Sequence, residues 1–218
     1  MNSAEAAAEA DVKEGEEINA RGVIDAAKEY LTRLFAGNSG GHDAAHTLRV
    51  YRNAMCIADG MPGCDRLTVA LAALLHDADD GKLFRTENFA NARTFLEKEG
   101  IGAEQTEKIC SVIGEVSFSK NRGKEPSSPE SMIVRDADRL DAMGAVGVAR
   151  TFAYGGEHGR SLDESAAHFR EKLLLLKDEM CTEAGRAAAG ERHRFLAVFL
   201  REYLKETEEG QGPEENEI

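Results

Sequence analysis

Apolar residues recur at the spacing of an α-helix over most of this chain. One such face, with positions i, i+3, i+4 and i+7, consists of Ile109, Val112, Ile113 and Val116. This spacing places the four side chains on one side of a helix. No stretch alternates convincingly between apolar and polar residues with the period of two that a half-buried strand shows. The pattern therefore predicts an all-α fold.

Capping signals set the helix boundaries. Ser161 with Glu164 three residues later forms a capping-box pattern, and Ser128 precedes a proline at the first helical position. Three glycines follow apolar segments, where a left-handed residue can close a helix: Gly37, Gly60 and Gly100. The predicted helices cover residues 21–36, 44–59, 65–78, 86–99, 103–118, 129–153, 161–181 and 187–206.

One folded domain is predicted over residues 21–206, because 218 residues with 42% apolar content can bury one sizeable core. Residues 1–20 and 207–218 are acidic and offer little to bury, so we predict them to be disordered tails. Most of the formal net charge of −13 comes from these ends. The folded body is therefore close to neutral, and its charge does not argue for or against an anionic substrate.

Composition excludes several classes of protein. The four cysteines are spread along the chain without a C-x-x-C pair, which suits reduced thiols in a cytoplasmic protein. The longest apolar run, residues 69–75, is far shorter than the roughly 20 residues of a membrane span, and the acidic N-terminus does not read as a secretion signal. The loop at 119–129 carries too few basic residues to indicate nucleic-acid binding.

Several histidines and acidic residues lie within predicted buried helices or at their ends. The run TVALAALLHD has seven consecutive apolar residues before His76 and Asp77, so a buried helix delivers both groups to its end. Burying them without a partner would be costly, and a divalent cation accepts an imidazole nitrogen and a carboxylate oxygen together. Asp138 and Asp141 share one helical face, so at least one of them should point toward the core.

These residues resemble the H…HD…D pattern of the HD-domain phosphohydrolase superfamily, as His46, His76-Asp77 and Asp138 in ADRL. Further blocks resemble a subgroup of small single-domain bacterial HD hydrolases: GHDAAHTLRV, LLHDADDGKL, VSFS, DADRLDAMGAVGVAR and AYGGEHGR. The chain departs from that subgroup at Ala44, where an aromatic residue is usual, and at Asp79, where a glycine is usual. Both departures concern the rim of the pocket.

The resemblance implies that His46, His76, Asp77 and Asp138 bind one divalent metal within a bundle of helices. This donor set suits manganese, iron, zinc, cobalt, nickel or magnesium, and we expect manganese. The metal would act as a Lewis acid and lower the pKa of water. The resemblance further implies hydrolysis of a small phosphorylated metabolite, with a nucleotide as the expected substrate and a pyrophosphohydrolase or nucleotidase as the expected type.

Other site residues follow from proximity to the motif. Asp80 falls one turn after His76 if the helix continues, so it could orient or deprotonate the attacking water, with Lys82 beside it. Arg49 and Arg139 are candidates for binding the substrate's phosphates.

Alternatives stay open at this point. His42 could contact the substrate or a ligand, or simply the start of a helix. Asp141 could replace Asp138 as a metal ligand, accept a hydrogen bond from a metal-binding residue, or form an ion pair with an arginine. The chain as a whole could instead be a non-catalytic sensor that binds metal and nucleotide, or a helical scaffold without metal.

Overall fold

The computed structural model describes the backbone of residues 3–37 and 43–207, and their side chains from residue 19 onward except at 119. All regular secondary structure in these ranges is helical, which confirms the predicted all-α fold. The elements are α1 (Ser3–Leu34), α2 (Ala44–Asp59), α3 (Arg66–Leu75), α4 (Ala90–Lys98), α5 (Ala103–Val116), α6 (Phe118–Asn121), α7 (Pro129–Asp141), α8 (Gly144–Glu157), α9 (Leu162–Glu171), a 3-10 helix (Leu173–Glu179) and α10 (Glu183–Thr207).

Helix α3 is the centre of the fold. Its leucines Leu71, Leu74 and Leu75 have no exposed surface, and it packs against α1, α2, α5 and α7. Helix α10 packs over α7, α8 and the 3-10 helix. This apolar helix has neighbours on most sides, so whatever stands at its C-terminal end lies in the interior of the bundle.

The predicted caps are mostly confirmed. Ser128 accepts a hydrogen bond from the Ser131 amide at 3.1 Å, and the capping box at Ser161 is present. Gly37 and Gly100 have left-handed φ values of 88° and 75°. The prediction was wrong at Gly60, whose φ of −89° is right-handed.

The predicted helix 129–153 is two helices. Helix α7 ends at Asp141, Met143 is extended, and the chain restarts as α8 with Gly144 at a φ of 66°. A Cβ on Gly147 would lie 2.2 Å from the Ala142 carbonyl oxygen, so the two helix ends approach each other closely only because residue 147 is glycine. The small residues of this run allow the chain to reverse tightly, which the helical periodicity of the sequence did not predict.

Other boundaries differ from those predicted. The segment after α9 tightens into a 3-10 helix, whose repeat of about three residues keeps Leu173 and Leu176 in the core. Helix α4 begins at Ala90, because Asn88 and Phe89 adopt left-handed φ values of 52° and 57°. Helix α10 begins at Glu183, earlier than predicted.

The two ends of the chain were predicted to be tails, and the structure describes part of the N-terminal one. Helix α1 begins at Ser3, so its backbone runs through most of the predicted N-terminal tail. The C-terminal tail lies outside the described residues beyond Thr207. In the described ranges, no helix has both the length and the apolar character to cross a membrane. All four cysteines are free thiols.

Candidate metal centre

Four side chains from three elements converge at the C-terminal end of α3. The Nε2 atoms of His46 on α2 and His76 after α3 are 3.3 Å apart. Asp77 Oδ2 lies 3.4 Å from each of these nitrogens. Asp138 Oδ1, from α7, lies 3.4 Å from His46 Nε2 and 3.7 Å from His76 Nε2. The four residues that the sequence predicted as metal ligands are thus brought together.

Local sequence explains how two of these side chains reach the interior. Asp43 is the N-cap of α2, and its carboxylate accepts a hydrogen bond from the His46 amide at 2.7 Å. This cap fixes the first turn of α2 and holds the His46 side chain inward, where it is 2% exposed. His76 is the C-cap of the apolar helix α3, and its side chain is 3% exposed.

Hydrogen bonds to the Nδ1 atoms orient both imidazoles. His76 Nδ1 lies 2.9 Å from the Ala73 carbonyl oxygen, which can only accept, so this nitrogen carries the proton. His46 Nδ1 lies 2.7 Å from Asp141 Oδ2 and donates to that carboxylate. In the neutral rings both Nε2 lone pairs therefore face the cluster. A carboxylate or backbone carbonyl behind a histidine is the usual support of a metal-binding imidazole.

The donor set fits a divalent metal. Ligand atoms at about 2.0–2.2 Å from one ion lie roughly 3.0–3.5 Å from one another, close to the 3.3–3.7 Å observed here. Two lone pairs that face each other cannot hydrogen-bond without a proton between them, and a shared cation removes this conflict. His46, His76 and Asp77 form a group whose ligand atoms could hold one ion.

The electrostatics of the cluster favour a positive charge at its centre. Burial alone lowers the pKa of His46, but hydrogen bonds with the carboxylates of Asp138, Asp141 and Asp77 outweigh it and raise this pKa well above its usual value. Burial raises the pKa of Asp138, yet His46 and His76 bring it below its ordinary value. Protons and a metal ion would compete for this position.

Asp141 connects the cluster to two arginines. Its carboxylate, 2% exposed, accepts from Arg49 Nε at 2.7 Å and Nη2 at 3.0 Å, and from Arg150 Nη1 at 2.5 Å. Arg150 Nη1 also lies 3.0 Å from His46 Nδ1, because both are donors to the same oxygen. Burial raises the pKa of Asp141, but His46 and Arg49 outweigh it and depress this pKa far below its usual value. Of the alternatives for Asp141, this geometry matches a hydrogen-bond acceptor and ion-pair partner.

Asp80 and Lys82 stand in a turn, not on a helix. Because α3 ends at Leu75, the premise that Asp80 lies one helical turn above His76 is wrong. The Asp80 amide donates to the Asp77 carbonyl oxygen at 3.1 Å, which keeps residue 80 next to a cluster residue. Its Oδ1 accepts from the Lys82 amide at 2.9 Å. The catalytic roles of Asp80 and Lys82 stay predictions.

Arg139 lies in a different environment from the one we expected. Its side chain is 5% exposed and bonds to the Glu179 carbonyl oxygen and carboxylate, the latter at 3.2 Å. It thereby ties α7 to the 3-10 helix. The predicted contact of Arg139 with substrate remains untested.

Two cations near the cluster were missed by the sequence reasoning. Arg150 is brought there by the break between α7 and α8. Lys172, at the junction of α9 and the 3-10 helix, has its Nζ 4.9 Å from the centre of the Phe118 ring. Burial lowers the pKa of Lys172, Asp138 opposes this, and Lys82 and Arg150 lower it further. Lys172 is therefore within electrostatic range of a cluster residue, and no local sequence signal marks it.

Asp79 supports the start of α4. Asp79, where the resemblance leads one to expect glycine, accepts from the Asn91 amide at 2.9 Å and the Ala92 amide at 3.0 Å. It therefore caps α4, whose own N-cap residue Phe89 has no capping side chain. His42, whose role was left open, lies outside the described residues.

The chain is similar to known proteins in both sequence and fold. The sequence matches the HD domain family over residues 43–143. Bacillus subtilis YpgQ is 39% identical over 188 residues, which cover 82% of this chain and 91% of YpgQ. The crystal structure of YpgQ in complex with ADP has a TM-score of 0.72 at 36% identity and covers 84% of this chain and 98% of that chain. An HD-superfamily hydrolase from Bacillus thuringiensis has a TM-score of 0.71 at 33% identity, with coverage of 86% and 97%.

Proposed function

Because this chain belongs to the HD-domain phosphohydrolase superfamily, we propose that it is a metal-dependent enzyme that hydrolyses a phosphoester or phosphoanhydride bond of a nucleotide. The observation that carries this proposal is that the two imidazole Nε2 atoms lie 3.3 Å apart, with the Asp77 and Asp138 carboxylates each 3.4–3.7 Å from them. Both imidazoles are held through Nδ1. We propose His46, His76, Asp77 and Asp138 as the ligands and manganese as the metal.

Some residues would hold the metal and its ligands in place, and others would take part in the reaction. A bound divalent cation supplies Lewis acidity toward a phosphoryl group and makes water a stronger nucleophile near neutral pH. Asp141 orients His46 through Nδ1 and is itself held by Arg49, so both act as positioning residues. Asp80, next to Asp77 in the turn, would accept the proton of the attacking water.

Three cations would receive the phosphates. Lys82, Arg150 and Asp138 are all close enough to Lys172 to act on its pKa. This concentration of positive charge near the ligand carboxylate of Asp138 favours a substrate with several negative charges, such as a nucleoside di- or triphosphate. The complex of YpgQ with ADP supports a nucleotide as the class of ligand.

The test is product release from a panel of nucleoside mono-, di- and triphosphates with Mn²⁺. We expect turnover by the intact protein, with activity and metal both lost in His76→Ala, and activity alone lost in Asp80→Asn. His193→Ala, outside the cluster, serves as the matched control and should stay active. Release of pyrophosphate would indicate cleavage next to the α-phosphate, and release of phosphate would indicate a nucleotidase.

Two results would contradict the proposal. Bound metal and bound nucleotide without turnover on any member of the panel would identify a sensor instead. Absence of bound metal in the intact protein would favour the scaffold, in which the acids pair only with arginines and histidines.

A further inference from the structure

A pocket of about 310 Å³ lies between α2, the α7–α8 junction and α10. Its polar lining consists of Arg49, Arg52, Asn53, Asp141 and Arg192. None of the four proposed metal ligands lines it. The pocket is therefore distinct from the metal centre, although Asp141 borders both.

The pocket has an excess of positive charge. Its one acidic lining residue, Asp141, already accepts from Arg49, Arg150 and His46. Arg192 bonds only to neutral acceptors among the described residues, the Leu140 carbonyl oxygen and Asn53 Oδ1, the latter at 2.9 Å. Burial lowers the pKa of Arg192, and the opposing charge of Asp141, with which it forms no ion pair among the described residues, does not outweigh this.

Arg52 adds a further positive charge at the rim. Its side chain is exposed, and it forms no ion pair within the described part of the chain. Because the folded body as a whole is close to neutral, general surface charge does not explain why this cavity has two arginines that form no ion pair among the described residues.

The start of α8 faces the same pocket. Gly144, Ala145 and Val146 form its first turn, and all three line the cavity. The N-cap residue Met143 provides no side-chain hydrogen bond, and the first turn contains no acidic residue. The first backbone N–H groups of a helix lack partners within it and attract anions. A Cβ on Gly144 would lie 3.2 Å from Arg192 Cγ, so the stem of Arg192 packs directly over this helix start.

We propose that this pocket is a second site, separate from the metal centre, that binds the phosphate group of a small molecule. Arg52, Arg192 and the first turn of α8 would supply the donors. Arg49 lines the pocket and also holds Asp141, so occupation of the pocket is coupled to the carboxylate that orients His46. The ligand class is a phosphate ester or pyrophosphate, because guanidinium groups form charge-assisted hydrogen bonds with phosphate oxygens.

The test is calorimetric titration of inorganic pyrophosphate into the full chain without added metal. We expect one molecule bound per chain, with binding at least roughly tenfold weaker in Arg52→Gln and in Arg192→Met, since each removes a charge-assisted contact. Arg192→Met retains the aliphatic packing over Gly144, and Arg52 is exposed, so both variants should fold. Arg33→Gln, which removes an arginine that is 67% exposed on α1, is the matched control.

A His76→Ala variant separates this site from the metal centre. If pyrophosphate binds at the second site, its affinity should be unchanged in His76→Ala. No binding by the intact chain, or binding that falls in His76→Ala but not in the two arginine variants, would overturn the proposal. Because no metal or turnover is involved, failure of this test leaves the proposed hydrolase activity standing.

Discussion

Replacing Asp141 by asparagine tests the link between the metal centre and its arginines. The side chain keeps its size, so packing is retained, but the carboxylate that receives His46, Arg49 and Arg150 loses its charge. One of its two acceptor oxygens becomes an amide nitrogen that faces donors. The guanidinium groups of Arg49 and Arg150, 29% and 25% exposed, then lose their ion pairs with this carboxylate.

The size of the effect follows from this environment. Removing one partner of a buried ion pair costs about 3–5 kcal/mol, and the partial exposure of both arginines reduces this to about 2–4 kcal/mol. For a domain of this length, we expect Tm to fall by roughly 5–15 °C. Loss of the carboxylate behind a metal-binding histidine should also weaken Mn²⁺ affinity about 10–100-fold.

Thermal denaturation and Mn²⁺ titration of Asp141→Asn measure both effects. The matched control is Asp59→Asn, which removes an exposed ion pair with Arg66 and should change stability by less than about 1 kcal/mol. Unchanged Tm and unchanged Mn²⁺ affinity in Asp141→Asn would refute the positioning role of this carboxylate.

The pH dependence gives a second check on the same variant. The pKa of Asp141 is depressed in the folded protein, so its stabilising contribution is fully present above the unfolded pKa of about 3.9 and is lost as pH falls toward the folded pKa. The difference in Tm between the intact protein and Asp141→Asn should therefore be complete near neutral pH and shrink below about pH 4. A difference that grows in acid would contradict this reasoning.

Three further predictions concern other parts of the site. Gly147→Ala should lower the free energy of unfolding by more than about 2 kcal/mol, because the added Cβ would lie 2.2 Å from a backbone oxygen. Denaturant unfolding measures this change. Gly156→Ala, which has open space around residue 156, is the control and should be neutral or stabilising. Lys172→Met should raise the nucleotide KM roughly tenfold without weakening Mn²⁺ binding, with the exposed Lys177→Met as control. Mn²⁺ at about 100 times its Kd should stabilise the protein by about 2.7 kcal/mol, seen as a rise in Tm; no rise would contradict the metal site.

The proposed metal ligands could be predicted because their signals are local. A buried apolar run that ends in His76-Asp77 shows directly that two polar groups enter the interior. Asp138 follows from its position in the ADRL block. That these residues meet at one point followed from the family resemblance, because the helical pattern does not show how α2, α3 and α7 pack.

The supporting cations could not be predicted because they depend on breaks in that pattern. In a continuous helix, Asp141 and Arg150 would lie about 13.5 Å apart along the axis, yet the turn at Met143 and Gly144 brings them into contact. Lys172 reaches the site through the change from α9 to a 3-10 helix. Such breaks arise from tertiary packing, which residue periodicity alone does not reveal.

The most direct test of the central claim is the stoichiometry of Mn²⁺ binding, followed by electron paramagnetic resonance as free Mn²⁺ disappears on titration. We expect one Mn²⁺ per chain in the intact protein, no measurable binding in Asp138→Ala, and unchanged binding in Asp59→Asn. Binding that is absent from the intact protein, or that persists unchanged in Asp138→Ala, would contradict the proposed metal centre.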